Sequence, residues 1–381
     1  MSNQFQLTED QRAIQELAQR FTADNITPYA GEWDEQKHFP KDVIRKSAEL
    51  GFGAIYVSEE SDGIGLGRLE AALIMEAMAY GCPTTSAFIS IHNMAAWMID
   101  KFGNDALKSR FLPDLVTMEK MASYCLTEPG SGSDASGLKT SAVLDGDHYV
   151  LNGTKQFISG AGVNDIYVTM VRTGEEKTKG ITCLVVEKDT PGVSFGAPER
   201  KLGWHASPTA QVIFEDARVP VANRVGAEGE GFRFAMMGLD GGRLNIGACS
   251  LGGAQRCLDE AVAYTKERQQ FGAPIAEFQN TQFMLADMAT DVESARALLY
   301  LAAAKVTADA PDKSRFSAMA KRLATDNGSK VANDALQLFG GYGYLKDYPI
   351  ERFWRDLRVH SILEGTNQVM RMIVGRALLR Q

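Results

Sequence analysis

The chain contains 381 residues with a formal net charge of −8, and 45% of its residues are hydrophobic. A chain of this length exceeds the usual size of one hydrophobic core, so we expect two or three packed domains. The acidic balance argues against general binding to nucleic acid, and no segment approaches the ~20 consecutive apolar residues of a membrane-spanning helix.

The first third of the chain has a helical pattern, in which apolar residues recur every three or four positions. Thr8 is a predicted N-cap, with Gln11 in the capping-box position three residues later. We assign residues 1–122 to an N-terminal α-helical domain. Its predicted helices, separated at Pro28, Pro40 and Pro83, cover residues 8–23, 40–50, 68–80, 85–101 and 105–117.

Near Tyr124 the pattern changes to short β-branched and aromatic runs separated by Gly, Asp, Asn and Pro. Such runs indicate antiparallel strands, and we assign residues 123–228 to a middle β-domain, a barrel or a sandwich. The predicted strands cover residues 148–151, 165–171, 180–187 and 210–214.

Helical spacing returns in residues 229–381, which we assign to a C-terminal domain resembling a four-helix bundle. Its predicted helices cover residues 231–268, 281–308, 314–338 and 366–379. The last of these places six apolar residues on one face, namely Val369, Met370, Ile373, Val374, Ala377 and Leu378. The predicted fold class is therefore α+β, in the order helices, sheet, helices.

The segment YCLTEPGSGSD, residues 124–134, is rich in glycine and hydroxyl side chains where the helices meet the first strands. Such a loop lets backbone N–H groups and hydroxyls approach a planar polar ligand closely. A turn between domains is the alternative interpretation. The segment contains neither a Walker loop nor a GxGxxG motif, so phosphate binding of those kinds is not indicated.

The segment SILEGTNQVMRMI places Glu364 directly before an apolar helix whose predicted N-cap is Thr366. Taken alone, a glutamate in this position favours the positive end of the helix dipole and has only a structural role. A carboxylate in an apolar cleft would instead be a general base, because burial raises its pKa.

These two segments and the order of the domains resemble the acyl-CoA dehydrogenase family over essentially the entire chain. The resemblance implies FAD-dependent α,β-dehydrogenation of an acyl-CoA, with Glu364 as the general base and the flavin as hydride acceptor. Relatives with a base on the earlier helix have a carboxylate where LDGGRLNI has Gly241 and Gly242. The resemblance therefore favours Glu364.

The resemblance also implies ligand contacts. Phe157 and Ser159 stand where Trp and Thr are common, and Leu363 stands where straight-chain enzymes usually have Tyr. The implied FAD contacts are Tyr124, Leu126, Thr127, Gly132, Ser133, Phe157, Ile158, Ser159, Arg268, Phe271, Phe278, Gln279, Gln337, Gly340, Gly341, Thr366 and Gln368. The implied substrate contacts are Ser133, Leu239, Asp240, Gly241, Gly242, Arg243, Gly365 and Arg376.

In this family ERQQFG, residues 267–272, and QLFGGYGY, residues 337–344, reach the FAD of a neighbouring subunit. The resemblance therefore implies a homo-oligomer, usually a tetramer. It also implies an electron-transferring flavoprotein as electron acceptor and a short branched substrate. Isobutyryl-CoA is the first choice, ahead of 2-methylbutyryl-CoA and butyryl-CoA. An acyl-CoA oxidase, a non-catalytic flavin-binding scaffold and a nucleic-acid-associated relative are the rival interpretations.

Histidine and cysteine spacing gives no support for a metal site. The histidines are His38, His92, His148, His205 and His360, and His92 is interpreted as a core or pocket residue. The five scattered cysteines include no CxxC pair and favour a reducing compartment. Since the first residues do not resemble a targeting segment, we expect a cytoplasmic protein, or a mitochondrial matrix protein if the chain is a trimmed mature form.

Overall fold

The computed structural model describes residues 7–380, and their order of helices, sheet and helices is the predicted one. Thr8 caps the first helix as expected, because its Oγ1 accepts from the Gln11 amide and the Gln11 side chain accepts from the Thr8 amide. The short second helix was not predicted. The N-terminal helices are α1 (Glu9–Asn25), α2 (Ala30–Gln36), α3 (Lys41–Ala48), α4 (Arg68–Gly81), α5 (Pro83–Phe102) and α6 (Asp105–Val116).

The middle part is one sheet in the order β6-β7-β3-β2-β4-β5-β8, with β1 added beside β4. The expectation of antiparallel strands needs one correction, because β1 runs parallel to β4 and β2 meets β4 in a parallel pairing. The long connection from β1 to β4 permits this arrangement. The strands are β1 (Ala122–Cys125), β2 (Ser141–Asp145), β3 (His148–Ser159), β4 (Ile166–Arg172), β5 (Ile181–Glu187), β6 (Val193–Phe195), β7 (Thr209–Pro220) and β8 (Arg224–Val225).

The last part is built around α7, a helix of 37 residues. Its glycines permit close packing: a Cβ on Gly252 would lie 2.1 Å from the Glu76 carbonyl oxygen of α4. Neither α10 nor the hairpin β9-β10 was predicted. These elements are α7 (Gly231–Glu267), β9 (Gln269–Gln270), β10 (Ala273–Pro274), α8 (Gln279–Thr307), α9 (Lys313–Phe339), α10 (Ile350–Arg358) and α11 (Asn367–Leu379).

The two helical parts share one hydrophobic core. A continuous cluster of buried side chains joins Phe21, Met75 and Phe88 of the first part to Leu244 and Phe353 of the last. The sheet has its own interior cluster and meets the helices through another. The sheet is therefore inserted, in sequence, between two halves of one helical body.

His92 joins this helical body to the sheet. Its Nε2 contacts the Leu115 carbonyl oxygen at 2.9 Å, and its Nδ1 accepts from the Ala122 amide at the start of β1. Burial lowers the pKa of His92 to about 4, so the ring is neutral. The interpretation of His92 as a core histidine is confirmed.

A buried ion pair anchors the loop that follows β1. The Lys155 ammonium donates to Glu128 Oε1 at 2.8 Å and to the Leu126 carbonyl oxygen at 3.2 Å. The Glu128 carboxylate also accepts from the Lys139 and Thr140 amides. Burial disfavours charge on Glu128, but Lys155 and these donors outweigh burial and lower its pKa.

We expect Lys155→Met to lower the free energy of unfolding by about 3–5 kcal/mol, because it leaves the buried Glu128 charge without its cation. Urea denaturation of the purified protein measures this change. Arg218→Met is the matched control, since its pair with Asp145 is on the surface of the same sheet and is worth about 1 kcal/mol or less. Equal losses in the two variants would contradict this account.

Candidate active site

Glu364 lies on a tight turn just before α11. Its φ is +56°, unusual for a residue with a side chain, and φ of Gly365 is +87°. Thr366 caps the helix as predicted, its side chain accepting from the Val369 amide at 3.3 Å. A Cβ on Gly365 would lie 2.8 Å from Cε of Met370. The Met370 side chain can move, so it is the left-handed φ of +87° that favours glycine at this position.

The Glu364 carboxyl group lies against the glycine face of α7. A Cβ on Gly242 would be 2.6 Å from Oε2 of Glu364 and 3.3 Å from Sδ of Met94. Oε2 is buried and has no hydrogen-bond partner among residues 7–380. The absence of a side chain at Gly242 thus makes room for a carboxyl group between α5 and α7.

Burial raises the pKa of Glu364 to about 7, although the positive charges of Arg243 and Lys321 act in the opposite direction. The Tyr124 hydroxyl is also buried, and no described residue is a hydrogen-bond partner for it. Burial and, after it, the charge of Glu364 hold the pKa of Tyr124 well above its ordinary value. A carboxyl group with this pKa is suited to accept a proton near neutral pH.

Arg243 supports the turn from α7. Its Nε donates to the Glu364 carbonyl oxygen at 3.3 Å, and its Nη1 donates to Asp240 Oδ1 at 2.7 Å. Ser314 donates to the second oxygen of Asp240. The predicted substrate residues Asp240 and Arg243 are therefore a buried ion pair that also holds the base, a role the sequence did not predict.

The glycine- and serine-rich loop lies beside the end of β3. The Thr127 carbonyl oxygen accepts from the Gln156 amide at 2.8 Å, and the Ser159 carbonyl oxygen accepts from Ser123 Oγ at 2.7 Å. A bulge between Lys155 and Ile158 turns Phe157 outward, with φ of +59° and 64% of the residue exposed. This arrangement leaves an aromatic side chain and a loop with open backbone on one surface.

The remaining predicted residues of these segments are placed as follows. Leu126 and Ile158 are buried, Gly132 and Ser133 are exposed, and no atom lies within 4 Å of a Cβ built on Gly132. Thr366 and Gln368 line a cavity of about 380 Å³ together with Asp326, Arg358 and Arg371. Leu239 is buried on α7.

Two predicted cofactor segments lie together at the far end of α7. Arg268 stands over the Tyr342 ring at 5.4 Å from its centroid, and Phe271 is 97% exposed. Phe278, Gln279, Gln337, Gly340 and Gly341 are also exposed. Arg268 is 26 residues beyond Gly242 (268 − 242) along a continuous helix, which corresponds to about 39 Å. These residues therefore form a second group, far from Glu364 of the same chain.

Sequence reasoning missed several residues around Glu364. Arg68 lies against Gly241, where its Nη1 is 2.4 Å from the position of a Cβ, and stacks over the Tyr56 ring. Lys321 donates to the Gly365 carbonyl oxygen of the turn. Met94 Sδ lies, like the Glu364 carboxyl group, close to Gly242. No local motif identifies these side chains, because only packing of distant helices brings them here. Conversely, Arg376 is exposed on α11, about 15 Å along the helix from Thr366. Its predicted contact with the substrate stays a prediction.

Within residues 7–380, no group of three His, Cys, Asp or Glu side chains could hold a metal ion. The same part of the chain contains no helix with the length and apolar character needed to cross a membrane.

Comparison with known proteins shows matches along nearly the whole chain. The acyl-CoA dehydrogenase N-terminal, middle and C-terminal domains match residues 8–119, 123–217 and 229–379. The mitochondrial isobutyryl-CoA dehydrogenase of Dictyostelium discoideum is 57% identical, covering 98% of this chain and 90% of that protein. The protein of the same name from Bos taurus is 52% identical with the same coverage.

Solved structures show the same fold. Butyryl-CoA dehydrogenase from Megasphaera elsdenii superposes with a TM-score of 0.96 at 40% identity, covering 99% of this chain and 100% of that one. A chain from a study of the electron transferring flavoprotein of Acidaminococcus fermentans gives a TM-score of 0.97 at 43% identity, with the same coverage.

We expect Gly242→Ala to disable the site without unfolding the protein. The new methyl group would displace the Glu364 carboxyl group, and misplacement of a reacting group by about 1 Å can cost roughly 10²-fold in rate. Alanine favours the helix itself by about 1 kcal/mol. The rate of substrate-dependent flavin reduction and the melting temperature are measured together. Gly375→Ala, at a helical glycine with open space around it, is the control, and unchanged rates in both variants would contradict the placement of Glu364.

Proposed function

Since this chain belongs to the acyl-CoA dehydrogenase family and is a flavin-dependent dehydrogenase of acyl-CoA, we propose that Glu364 is its general base and isobutyryl-CoA its substrate. The observation that carries the assignment of the base is the Glu364 carboxyl group: its Oε2 is buried with no hydrogen-bond partner in the described part of the chain, and burial raises its pKa to about 7. A base is most effective when its pKa is near the working pH.

The residues of the site fit FAD. Phe157 offers an exposed aromatic side chain next to Gln156, whose amide contacts the glycine- and serine-rich loop. The Tyr124 hydroxyl has no hydrogen-bond partner among residues 7–380, and Thr366 and Gln368 line a cavity. We propose that they hold the cofactor with the other residues that the resemblance implies. FAD, when bound, supplies the acceptor for the hydrogen and electron pair that leave Cβ, which no side chain can accept.

The chain's own contribution is the removal of the α-proton. The Cα–H bond breaks, the proton passes to a Glu364 carboxylate oxygen, and isobutyryl-CoA becomes methacrylyl-CoA after loss of the Cβ hydrogen. The dry surroundings of Glu364 make its carboxylate more basic toward a carbon acid. Arg243 holds the turn through a carbonyl oxygen and leaves the carboxylate lone pairs free for the substrate.

Sequence similarity supports the choice of isobutyryl-CoA. Identity is 57% and 52% to two isobutyryl-CoA dehydrogenases but 41% to the short-chain-specific enzyme of Clostridium acetobutylicum. Leu363 precedes the base, and the flexible side chain of Met94 lies beside it. Discrimination by one methylene in such an apolar pocket is worth about 1–3 kcal/mol, so 2-methylbutyryl-CoA and butyryl-CoA are the competing substrates.

We propose a homo-oligomer, expected to be a tetramer, in which Arg268 and its neighbours serve the FAD of a partner subunit. The support is the separation of about 39 Å along α7 between Arg268 and Gly242, which exceeds the reach of one cofactor. Phe271 is 97% exposed among residues 7–380, which is consistent with a contact to a partner subunit.

We propose an electron-transferring flavoprotein as the electron acceptor, in keeping with the structural relative described above. All five cysteines are free and buried, which supports a reducing compartment. The relatives include mitochondrial and bacterial proteins, so the bacterial cytoplasm and the mitochondrial matrix are the two candidates.

Anaerobic mixing with substrate tests the proposed reaction. We expect isobutyryl-CoA to bleach the oxidised flavin band faster than 2-methylbutyryl-CoA, butyryl-CoA or isovaleryl-CoA. Glu364→Gln should slow bleaching by about 10²–10⁴-fold while binding flavin normally, because it removes only the base. Faster bleaching by another thioester would refute the choice of substrate alone, and full activity of Glu364→Gln would refute the base.

The pH dependence of the same reaction reports on Glu364. At low substrate concentration, the rate should rise with pH, reach half its maximum near pH 7 and then level off, because only the ionised carboxylate accepts a proton. Stopped-flow flavin reduction measures the profile. An acidic limb centred near the ordinary glutamate value of about 4.3 would show that burial does not control this group.

A further inference from the structure

The turn that carries Glu364 is held by two cationic side chains, and neither is bonded to the carboxylate. Glu364 and Gly365 both have left-handed backbone conformations, which the surrounding structure must maintain. Arg243 donates to the carbonyl oxygen of Glu364 from α7. From the opposite side, on α9, Lys321 donates to the carbonyl oxygen of Gly365 at 2.9 Å.

Lys321 is fully buried, and no carboxylate within residues 7–380 lies within ion-pair distance of it. Its second acceptor is Asn367 Oδ1, also at 2.9 Å. Thr325 and Asp326 fix that amide by bonding to Asn367 Nδ2. A buried ammonium held only by neutral acceptors is costly unless another charge compensates it. The nearby ionisable group with the larger compensating effect is Glu364, and Asp326 has a smaller one.

We propose that Lys321 is a positioning residue for the base: it clamps the Glu364–Gly365 turn through the Gly365 carbonyl and favours the ionised carboxylate by its charge. The proposal rests on the proposed function of Glu364. The hydrogen bond to Gly365 and the positive charge both belong to Lys321. A substitution that keeps a donor but removes the charge therefore separates their effects.

The other charged groups near this pair do not replace Lys321. Arg243 of α7 also faces Glu364, but Asp240 shares its charge. Tyr124 and Tyr56 face Glu364 from β1 and from the segment before α4, and burial raises the pKa of both, so they stay neutral. Asp326 of α9 acts on Lys321 but is shared with Arg322 of α9 and Arg371 of α11. His360 also faces Lys321, and burial lowers its pKa to about 3, so its ring is neutral. Arg68 of α4 lies against Gly241 and over the Tyr56 ring.

The experiment compares Lys321→Met, Lys321→Gln and the surface control Lys330→Met of the same helix, all as holoenzymes. Ionisation of Glu364 is followed directly by the infrared band of its protonated carboxyl group, assigned by its absence in Glu364→Gln. Flavin reduction by isobutyryl-CoA gives the maximal rate and the half-saturating concentration. The infrared titration needs no turnover, so it reports on Lys321 even if the substrate or the base is assigned wrongly.

For Lys321→Met we expect the maximal rate to fall about ten- to a hundredfold, as for loss of one charged hydrogen bond. The half-saturating concentration should change less than about threefold, and Glu364 should titrate at higher pH than in the wild type. Lys321→Gln keeps a donor for Gly365 without the charge. It should therefore restore part of the maximal rate, while Glu364 still titrates at a higher pH than in the wild type.

Lys330→Met should have the same maximal rate, half-saturating concentration and Glu364 titration as the wild type. Titration of Glu364 at the wild-type pH in Lys321→Gln would overturn the electrostatic part, even if Lys321→Met fails to fold. A wild-type maximal rate in Lys321→Met would overturn the clamp. If isobutyryl-CoA does not bleach the flavin band of the wild type, or if Glu364→Gln remains active, the proposed function fails. The infrared titration of Glu364 still decides whether Lys321 affects its ionisation.

Discussion

The packing of α7 and α9 around the Glu364 turn accommodates a buried carboxylate oxygen, Oε2, that accepts no hydrogen bond from residues 7–380. Such a group is costly to ionise, because burial removes the water that stabilises its charge. Arg243 and Lys321 supply positive charge but bond to main-chain carbonyl oxygens of the turn. The arrangement offsets part of the cost of ionisation and still leaves the carboxylate oxygens free to react.

The same constraint explains the composition of α7. Glycine is a poor helix former, about 1 kcal/mol worse than alanine at each position, yet Gly242 makes room for the carboxyl group and Gly241 for Arg68. Gly252 allows contact between the backbones of α7 and α4. Packing on several sides stabilises a helix that its own propensity would not favour.

Much of this fold could be predicted from local patterns, because long amphipathic helices have a strong period and α7, α8 and α9 end within two residues of their predicted limits. Short elements such as α2 and β6 carry too few residues for a period to show. The parallel pairing of β1 depends on tertiary contacts. Glu364 and Thr366 belong to one local motif, which predicts the helix cap that Thr366 forms, whereas the role of Glu364 as base stays a prediction. Lys321, Met94 and Arg68 come from separate helices, so one sequence offers no signal for them.

The shared core of the two helical parts has a consequence for synthesis on the ribosome. The apolar face of α4 stays uncovered until α7 and α8 have been made, since these helices pack against it. About 226 residues separate the end of α4 at Gly81 from the end of α8 at Thr307 (307 − 81). At about 5–20 residues per second, their synthesis takes roughly 11–45 s. During this interval the N-terminal helices expose apolar surface, so we expect chaperones to bind the nascent chain until the C-terminal helices pack against it.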